Sequence, residues 1–283
     1  MQSVALYRAL PSMLLLSALC GLGKCQAANW PLSRADAAGT GATTEELPAD
    51  LDLLWEYKLE GIGFESGPIV VDGIVYACDY DGRVVAVELE TGKEKWKLEL
   101  DTVFVASPAY DQGVLYVGDY EGKFRALDAS TGKEKWMFDA SLQIDAGANF
   151  YRDTLLVTSE EGTLYCLNKL DGQLVWKYET GNQLQCSATL AGRITYLGGC
   201  DEHLHIVDVE SGKAISEPVS ISAPTGSTPS VMDNTIFVPT YAGEILAFPA
   251  GEVQPRWRFN DESLGGEFKN SVAVANGKVV ASS

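Results

Sequence analysis

The chain has 283 residues, 39 acidic against 21 basic, a net charge of -18 and 46% apolar residues. This composition supplies a folded core and excludes wholesale disorder. The acidity excludes a general nucleic-acid binder, which needs a basic surface to displace counterions, and past the N-terminus no run of 18 apolar residues offers a spanning helix.

In chain order, residues 1–28 come first. Arg8 precedes an apolar run from Leu10 to Leu22, with small residues at Cys25, Ala27 and Ala28 and no carboxylate before Asp36. That is the three-part pattern of a secretory signal, with cleavage after Ala27 or Ala28. The expected location is therefore outside the cytoplasm, periplasmic or associated with the cell envelope. A lipid anchor at Cys20 or Cys25 is an alternative, but Leu19 and Lys24 stand where such a signal wants a small residue. Residues 29–50 form a lead-in segment.

Residues 51–283 carry a repeat. Tryptophan occurs at Trp55, Trp96, Trp136, Trp176 and Trp257, with steps of 41, 40, 40 and 81, and the long gap divides near Ser216. Each unit holds a turn with glycine at Gly92, Gly132, Gly172 or Gly212, an earlier Asp81-Gly82-type turn, and a third of the Asp72-Gly73 type. Between them lie short β-branched or aromatic runs: Ile74 to Ala77, Val114 to Val117, Leu155 to Val157, Ile194 to Leu197, and Ile236 to Val238. Such runs bounded by turn residues are strands, and no pair of helices with 3.6 periodicity is visible. A fixed period of about 40 residues holding four antiparallel strands predicts an all-β fold, a β-propeller. About five and a half blades fit the length. Leu51 to Leu59 reads as an outer strand that completes the last blade by ring closure. Since Lys278 to Ser283 matches only a second strand, the repeats are expected to be C-terminally incomplete, a fragment of a seven- or eight-bladed ring.

The pattern Ala-x-Asp-x-x-Thr-Gly-Lys-x-x-Trp, intact at 126–136 and nearly so at 86–96, resembles the tryptophan-docking repeat of the PQQ-like (quinoprotein alcohol dehydrogenase-like) β-propeller family. Asn29 to Arg34 is similar to the lead-in before the first blade of such exported proteins. WD40 propellers share the period, but no Trp here is followed by Asp. The resemblance implies the fold, with each indole packing on a neighbouring blade's Thr-Gly turn and on Ala86 or Ala126. It leaves activity open, because the family includes quinone-dependent dehydrogenases and cofactor-free scaffolds of outer-membrane assembly, the BamB type.

Dehydrogenases of the family hold PQQ against an adjacent Cys pair with calcium above the channel. Cys78, Cys166, Cys186 and Cys200 are not adjacent. They fall in different strands, and Cys186 and Cys200 are expected about three positions out of register in one hairpin, too far for a disulfide. Cys166 replaces the small Ala of the packing pattern. His203 and His205, the two histidines, share one strand face and form the start of a metal site, but they align with Arg83, Lys123 and Thr163, read as a solvated face. Gly39, Gly41, Gly61 and Gly63 lack the third glycine of a dinucleotide loop and read as flexible backbone. The segments before each first strand vary: Phe64-Glu65, Val103-Phe104, Ile144-Asp145, Gln183 to Gln185, and Phe268 to Asn270. They are placed near one mouth of the channel, where Glu65, Asp145 and Asn270 are candidate calcium ligands or solvated loop residues. No nucleophile–base pair is assembled.

The sequence therefore points to an exported, non-catalytic propeller that acts as a scaffold for a protein partner at the outer membrane, with no cofactor and no metal. A PQQ- and calcium-dependent dehydrogenase, or a fragment of one, is the alternative. A sensor or ligand-binding propeller is the second alternative.

Overall fold

The turn pairs Asp72-Gly73, Gln112-Gly113 and Asn276-Gly277 all have φ between 46° and 82° at both residues. That backbone makes the two-residue hairpin turn whose twist matches its flanking strands. In the computed structural model, which describes residues 2–8, 28–46, 49–260 and 266–282, these turns organise a β-propeller.

Two strands precede the blades: β1 (Gln2–Arg8) and β2 (Asp52–Leu59). Blade 1 is β3 (Ile69–Val71), β4 (Ile74–Cys78), β5 (Arg83–Glu88) and β6 (Glu94–Glu99). Blade 2 is β7 (Ala109–Asp111), β8 (Val114–Gly118), β9 (Lys123–Asp128) and β10 (Glu134–Asp139). Blade 3 is β11 (Asn149–Tyr151), β12 (Thr154–Ser159), β13 (Thr163–Asn168) and β14 (Leu174–Glu179). Blade 4 is β15 (Thr189–Ala191), β16 (Ile194–Gly198), β17 (His203–Asp208) and an outer strand in two pieces, β18 (Lys213–Ala214) and β19 (Val219–Ser220). Blade 5 is β20 (Ser230–Met232), β21 (Thr235–Pro239), β22 (Glu244–Pro249) and β23 (Trp257–Asn260), and a sixth hairpin follows, β24 (Ala273–Ala275) with β25 (Lys278–Val280).

Every blade is an antiparallel meander with the same register. Val70 opposes Val75, and Tyr110–Leu115, Phe150–Leu155, Leu190–Thr195, Val231–Ile236 and Val274–Val279 repeat that pairing. The hydrophobic cores lie between blades. Ile69 and Val84 of blade 1 pack with Leu115 and Leu127 of blade 2, Leu156 and Leu164 of blade 3 with Leu190 and Leu197 of blade 4, and so on to Phe268 and Val274. The second and third strands are covered on both faces, so they read as near-continuous apolar runs.

Two sequence expectations are corrected, at β2 and in blade 4. β2 does not complete the sixth hairpin; its edge is paired with β1, Leu6 opposite Trp55. An unpaired strand edge takes up any extended segment within reach. Gln2–Arg8, within the expected leader, forms β1, and residues 9–27 of that leader, including Cys20 and Cys25, lie outside the described residues. In blade 4 the outer strand breaks at the position lacking Trp, where Pro218 has no N–H to give the ladder. No helix among the described residues is long and apolar enough to cross a membrane.

Candidate functional site: the channel and its mouth

The recurrent tryptophans are built into position by a bulge. The pairing shifts register between Ala86 and Val87, so that Trp96 faces Ala86 while Glu94 faces Val87. The same shift places Trp136 opposite Ala126 and Trp176 opposite Cys166. A bulge adds one residue and re-aims the next side chain. Each indole then lies over the glycine turn of the following blade and donates its Nε1–H to a carbonyl there: Trp55 to Leu89 O (2.7 Å), Trp96 to Ala129 O (2.9 Å), Trp136 to Lys169 O (3.0 Å) and Trp176 to Val209 O (2.9 Å). A Cβ on Gly92, Gly132, Gly172 or Gly212 would stand within 2.8 Å of that ring. The Thr-Gly turns are therefore met as expected, while Ala86 and Ala126 belong to the tryptophan's own blade. Trp257 stacks tilted on Phe237 and is 39% exposed, with no following turn among the described residues to receive it.

The lead-in lies inside the ring. Trp30 bridges Val70, with N–H···O bonds of 2.6 and 3.1 Å. Pro31 O accepts from Tyr110 N, Ala37 O from Leu190 N, Ala38 O from Val231 N and Thr40 O from Val274 N. These donors occupy one repeat position on the innermost strands, on the edge away from β4 and its equivalents. Blade 3 substitutes a side chain, since Asn149 caps Phe150 N and reaches Ala37 O at 2.8 Å. Residues 30–40 thus run around the inner wall from blade 1 to the sixth hairpin. Leu32 is buried between blades 2 and 3, and Arg34 donates to Val272 O. Gly39 and Gly41 sit at φ 63° and 61° against Pro229 O and the Arg34 guanidinium, so they are conformational requirements and not flexible backbone.

Above this hoop is the mouth. Each turn joining second and third strands is tied to the loop before the first strand by one backbone bond: Tyr80 N to Gly63 O, Tyr120 N to Val103 O, Glu160 N to Gln143 O, Cys200 N to Gln183 O, and Tyr241 N to Pro224 O. The expectation that the pre-strand segments lie at one mouth is met. Asp145 and Glu160 adjoin there, held by Gln143 (3.1 Å) and Gln185 (2.8 Å). Burial, aided by the carboxylates of Glu160 and Glu65 and opposed by Gln143, pushes Asp145 up to about 6. Tyr80 donates to Glu65, which raises the phenol. Tyr120, Ile62 and Leu142 are exposed around the rim. Of the candidate calcium ligands, Glu65 and Asp145 lie close enough to act on one another, and Asn270 donates its amide to Ser282 Oγ at 3.4 Å. No group of three or more His, Cys, Asp or Glu among the described residues is arranged to hold a metal.

The face read as solvated is partly interior. Arg83 is half-buried against Asp79 (2.6 Å), Thr163 is buried, and Arg125 pairs with Asp119. Asp79 and Asp119 are wholly buried, and each Oδ1 also caps two backbone N–H groups of its turn. His205 is buried between Asp201 Oδ2 (2.9 Å) and the Tyr178 hydroxyl (3.0 Å), while His203 turns to Asp201 O. Desolvation lowers the His205 pKa despite Asp201. Cys186 and Cys200 lie outside the strands: Cys186 Sγ donates to Gly198 O at 3.2 Å, whereas Cys200 N bonds Gln183 O, three residues before Cys186. Among the described residues, all four cysteines are free thiols. Burial raises Cys166 to about 11 and Cys186 to about 12, and it raises Cys78 and Cys200 as well.

The chain matches the family described as outer membrane protein assembly factor BamB over residues 48–146 and 141–215, more than half its length. A curated relative, outer membrane protein assembly factor BamB of Yersinia pestis, is 36% identical over 64 residues, 23% of this chain and 13% of that protein. Among solved structures, BamB from Moraxella catarrhalis is similar with a TM-score of 0.63 and 22% identity over 73% of this chain and 62% of that one. The quinohemoprotein alcohol dehydrogenase from Comamonas testosteroni gives a TM-score of 0.74 and 18% identity over 84% and 50%. The matched region is under two thirds of the length of each of these proteins, and both solved structures testify to fold alone.

Proposed function

Because the chain belongs to the outer membrane protein assembly factor BamB family, we propose that it is an exported, non-catalytic propeller that binds a protein partner of the cell envelope through the channel mouth. The observation that carries this reading is the repeat position occupied by Tyr80, Tyr120, Glu160, Cys200 and Tyr241. Its backbone is fixed in the same way in five blades, while its side chain is Tyr in three of them, Glu in one and Cys in one. A rigid frame that presents varied side chains around one opening is how a scaffold builds a binding surface. Tyr at such a site supplies large contact area with a hydrogen-bonding tip and few rotamers to freeze. The segment 1–28 supports export, and lipid attachment at Cys20 or Cys25 is the variant of that reading in which the protein stays membrane-bound.

The mouth's carboxylates support cofactor-free binding over quinone chemistry. Asp145 and Glu160 adjoin with Gln143 and Gln185 as partners, and Asn270 is bonded to Ser282. Adding PQQ and calcium to the purified protein is expected to produce no calcium-dependent spectral change; a saturable change would favour the dehydrogenase reading. For the scaffold, envelope extracts are passed over the immobilised protein and over a Tyr80→Ala/Tyr120→Ala variant. A captured envelope protein lost at least about tenfold in the variant, with unchanged melting, supports the mouth. Equal capture by both removes it.

A further inference from the structure

We infer that the inner wall of the channel is a binding site for an extended peptide, and that residues 30–40 are its built-in ligand. The wall presents the N–H groups of Val70, Tyr110, Leu190, Val231 and Val274 at one repeat position, each on the edge of an innermost strand that has no strand beside it. Left unpaired and shielded from water, such donors would be costly. The lead-in satisfies them in blade order, with the carbonyls of Trp30, Pro31, Ala37, Ala38 and Thr40. This is strand addition wound into a hoop, with main-chain bonds for affinity and side-chain pockets for selection.

The selecting contacts are specific. Leu32 is buried among Ala109, Ala148 and Leu155. Asn149 bridges Ala37 O and Ala188 O at 2.8 Å each, and Ser230 Oγ donates to Gly39 O at 2.8 Å. A Cβ at Gly39 would stand 3.0 Å from Pro229 O. The ligand also holds its own shape: Asp36 accepts from Thr40 N (3.1 Å) and Thr40 Oγ1 (2.5 Å), and Gly39 N donates to Asp36 O. A peptide already turned for its site loses less freedom on binding. Because its ends rest on Val70 and Val274, the hoop joins blade 1 to the sixth hairpin, a link that β2 does not make. The inference is independent of any partner at the mouth.

The test uses the full chain with one protease site inserted before Ala28 and a second between Thr43 and Thr44, in an exposed stretch. After both cuts, residues 28–43 have no covalent tie to the ring. The peptide is expected to co-elute with the ring in native gel filtration and to separate only in denaturant. The same protein carrying Leu32→Asp is expected to retain at least about tenfold less peptide. Separation of the wild-type peptide under native conditions overturns the inference, and so does equal retention of the Leu32→Asp peptide. Amide exchange in the doubly cut protein gives a second reading: Tyr110, Leu190, Val231 and Val274 stay protected while the peptide is bound. Fast exchange at these amides with the peptide present would contradict the hoop.

Discussion

Trp136 shows how one side chain links two blades. Its ring covers Gly172 and its Nε1–H reaches Lys169 O, so it combines apolar burial with a paired polar tip. Trp136→Ala is expected to cost about 2–4 kcal/mol and to lower Tm by roughly 5–12 °C, whereas Lys135→Ala, on an exposed face, shifts it by no more than about 2 °C. Equal shifts in a thermal scan would remove the packing role. Asp145 makes a second, pH-dependent prediction. With its folded pKa near 6, above the ordinary carboxylate range, the native state keeps a proton that the unfolded chain releases. The associated stability is complete below about pH 4 and is lost as pH rises through about 6. Wild-type protein should therefore lose about 1–2 kcal/mol between pH 4.5 and 7.5 from this site, partial exposure reducing the full value. Asp145→Asn should flatten that fall, as followed by denaturant titration at both pH values. Among the four described thiols, Cys200 is the one not buried, so mass spectrometry after brief alkylation should find it labelled before Cys78, Cys166 and Cys186, which react only on unfolding. The tryptophan docks are legible because the residue and its glycine recur at fixed spacing. Asp79, Asp119 and His205 are not, because a charged residue in a turn reads as solvated until its partner strand is in place.

At the scale of elements, alternating turns and short apolar runs mark the second strand of each of the five blades to within a residue or two. What spacing could not show is the role of the lead-in, since residues 30–40 have neither strand periodicity nor a repeat partner. Their order comes from the ring of unpaired N–H groups that encloses them. The destination of β2 was also hidden, because an outer strand's sequence does not say which edge it meets. Blade 4 shows what a missing tryptophan does. With Ser216 in its place and Pro218 beyond, the outer strand keeps only β18 and β19. Amides of β18 and β19 are expected to exchange at least about tenfold faster than those of β14, whose Trp176 is docked on Gly212. Matching exchange rates would show that the docked ring does not hold the outer strand.

The whole molecule combines a repeated frame with two places where repetition is broken on purpose to carry chemistry of its own: the hoop within the channel and the varied mouth above it. The excess of acid that first excluded nucleic acid is divided between turn-capping carboxylates inside the blades, the pairs on the outer faces, and the Glu65, Asp145 and Glu160 group at the mouth. Partner binding at that mouth is the central claim. Its most direct test is site-specific photo-cross-linking in cells, with the probe at Tyr120 on the mouth or at Leu170, 86% exposed on the turn between third and fourth strands. The account predicts a discrete cross-linked envelope protein from position 120 and none from position 170. No adduct at position 120, or the same adduct from both positions, would contradict it.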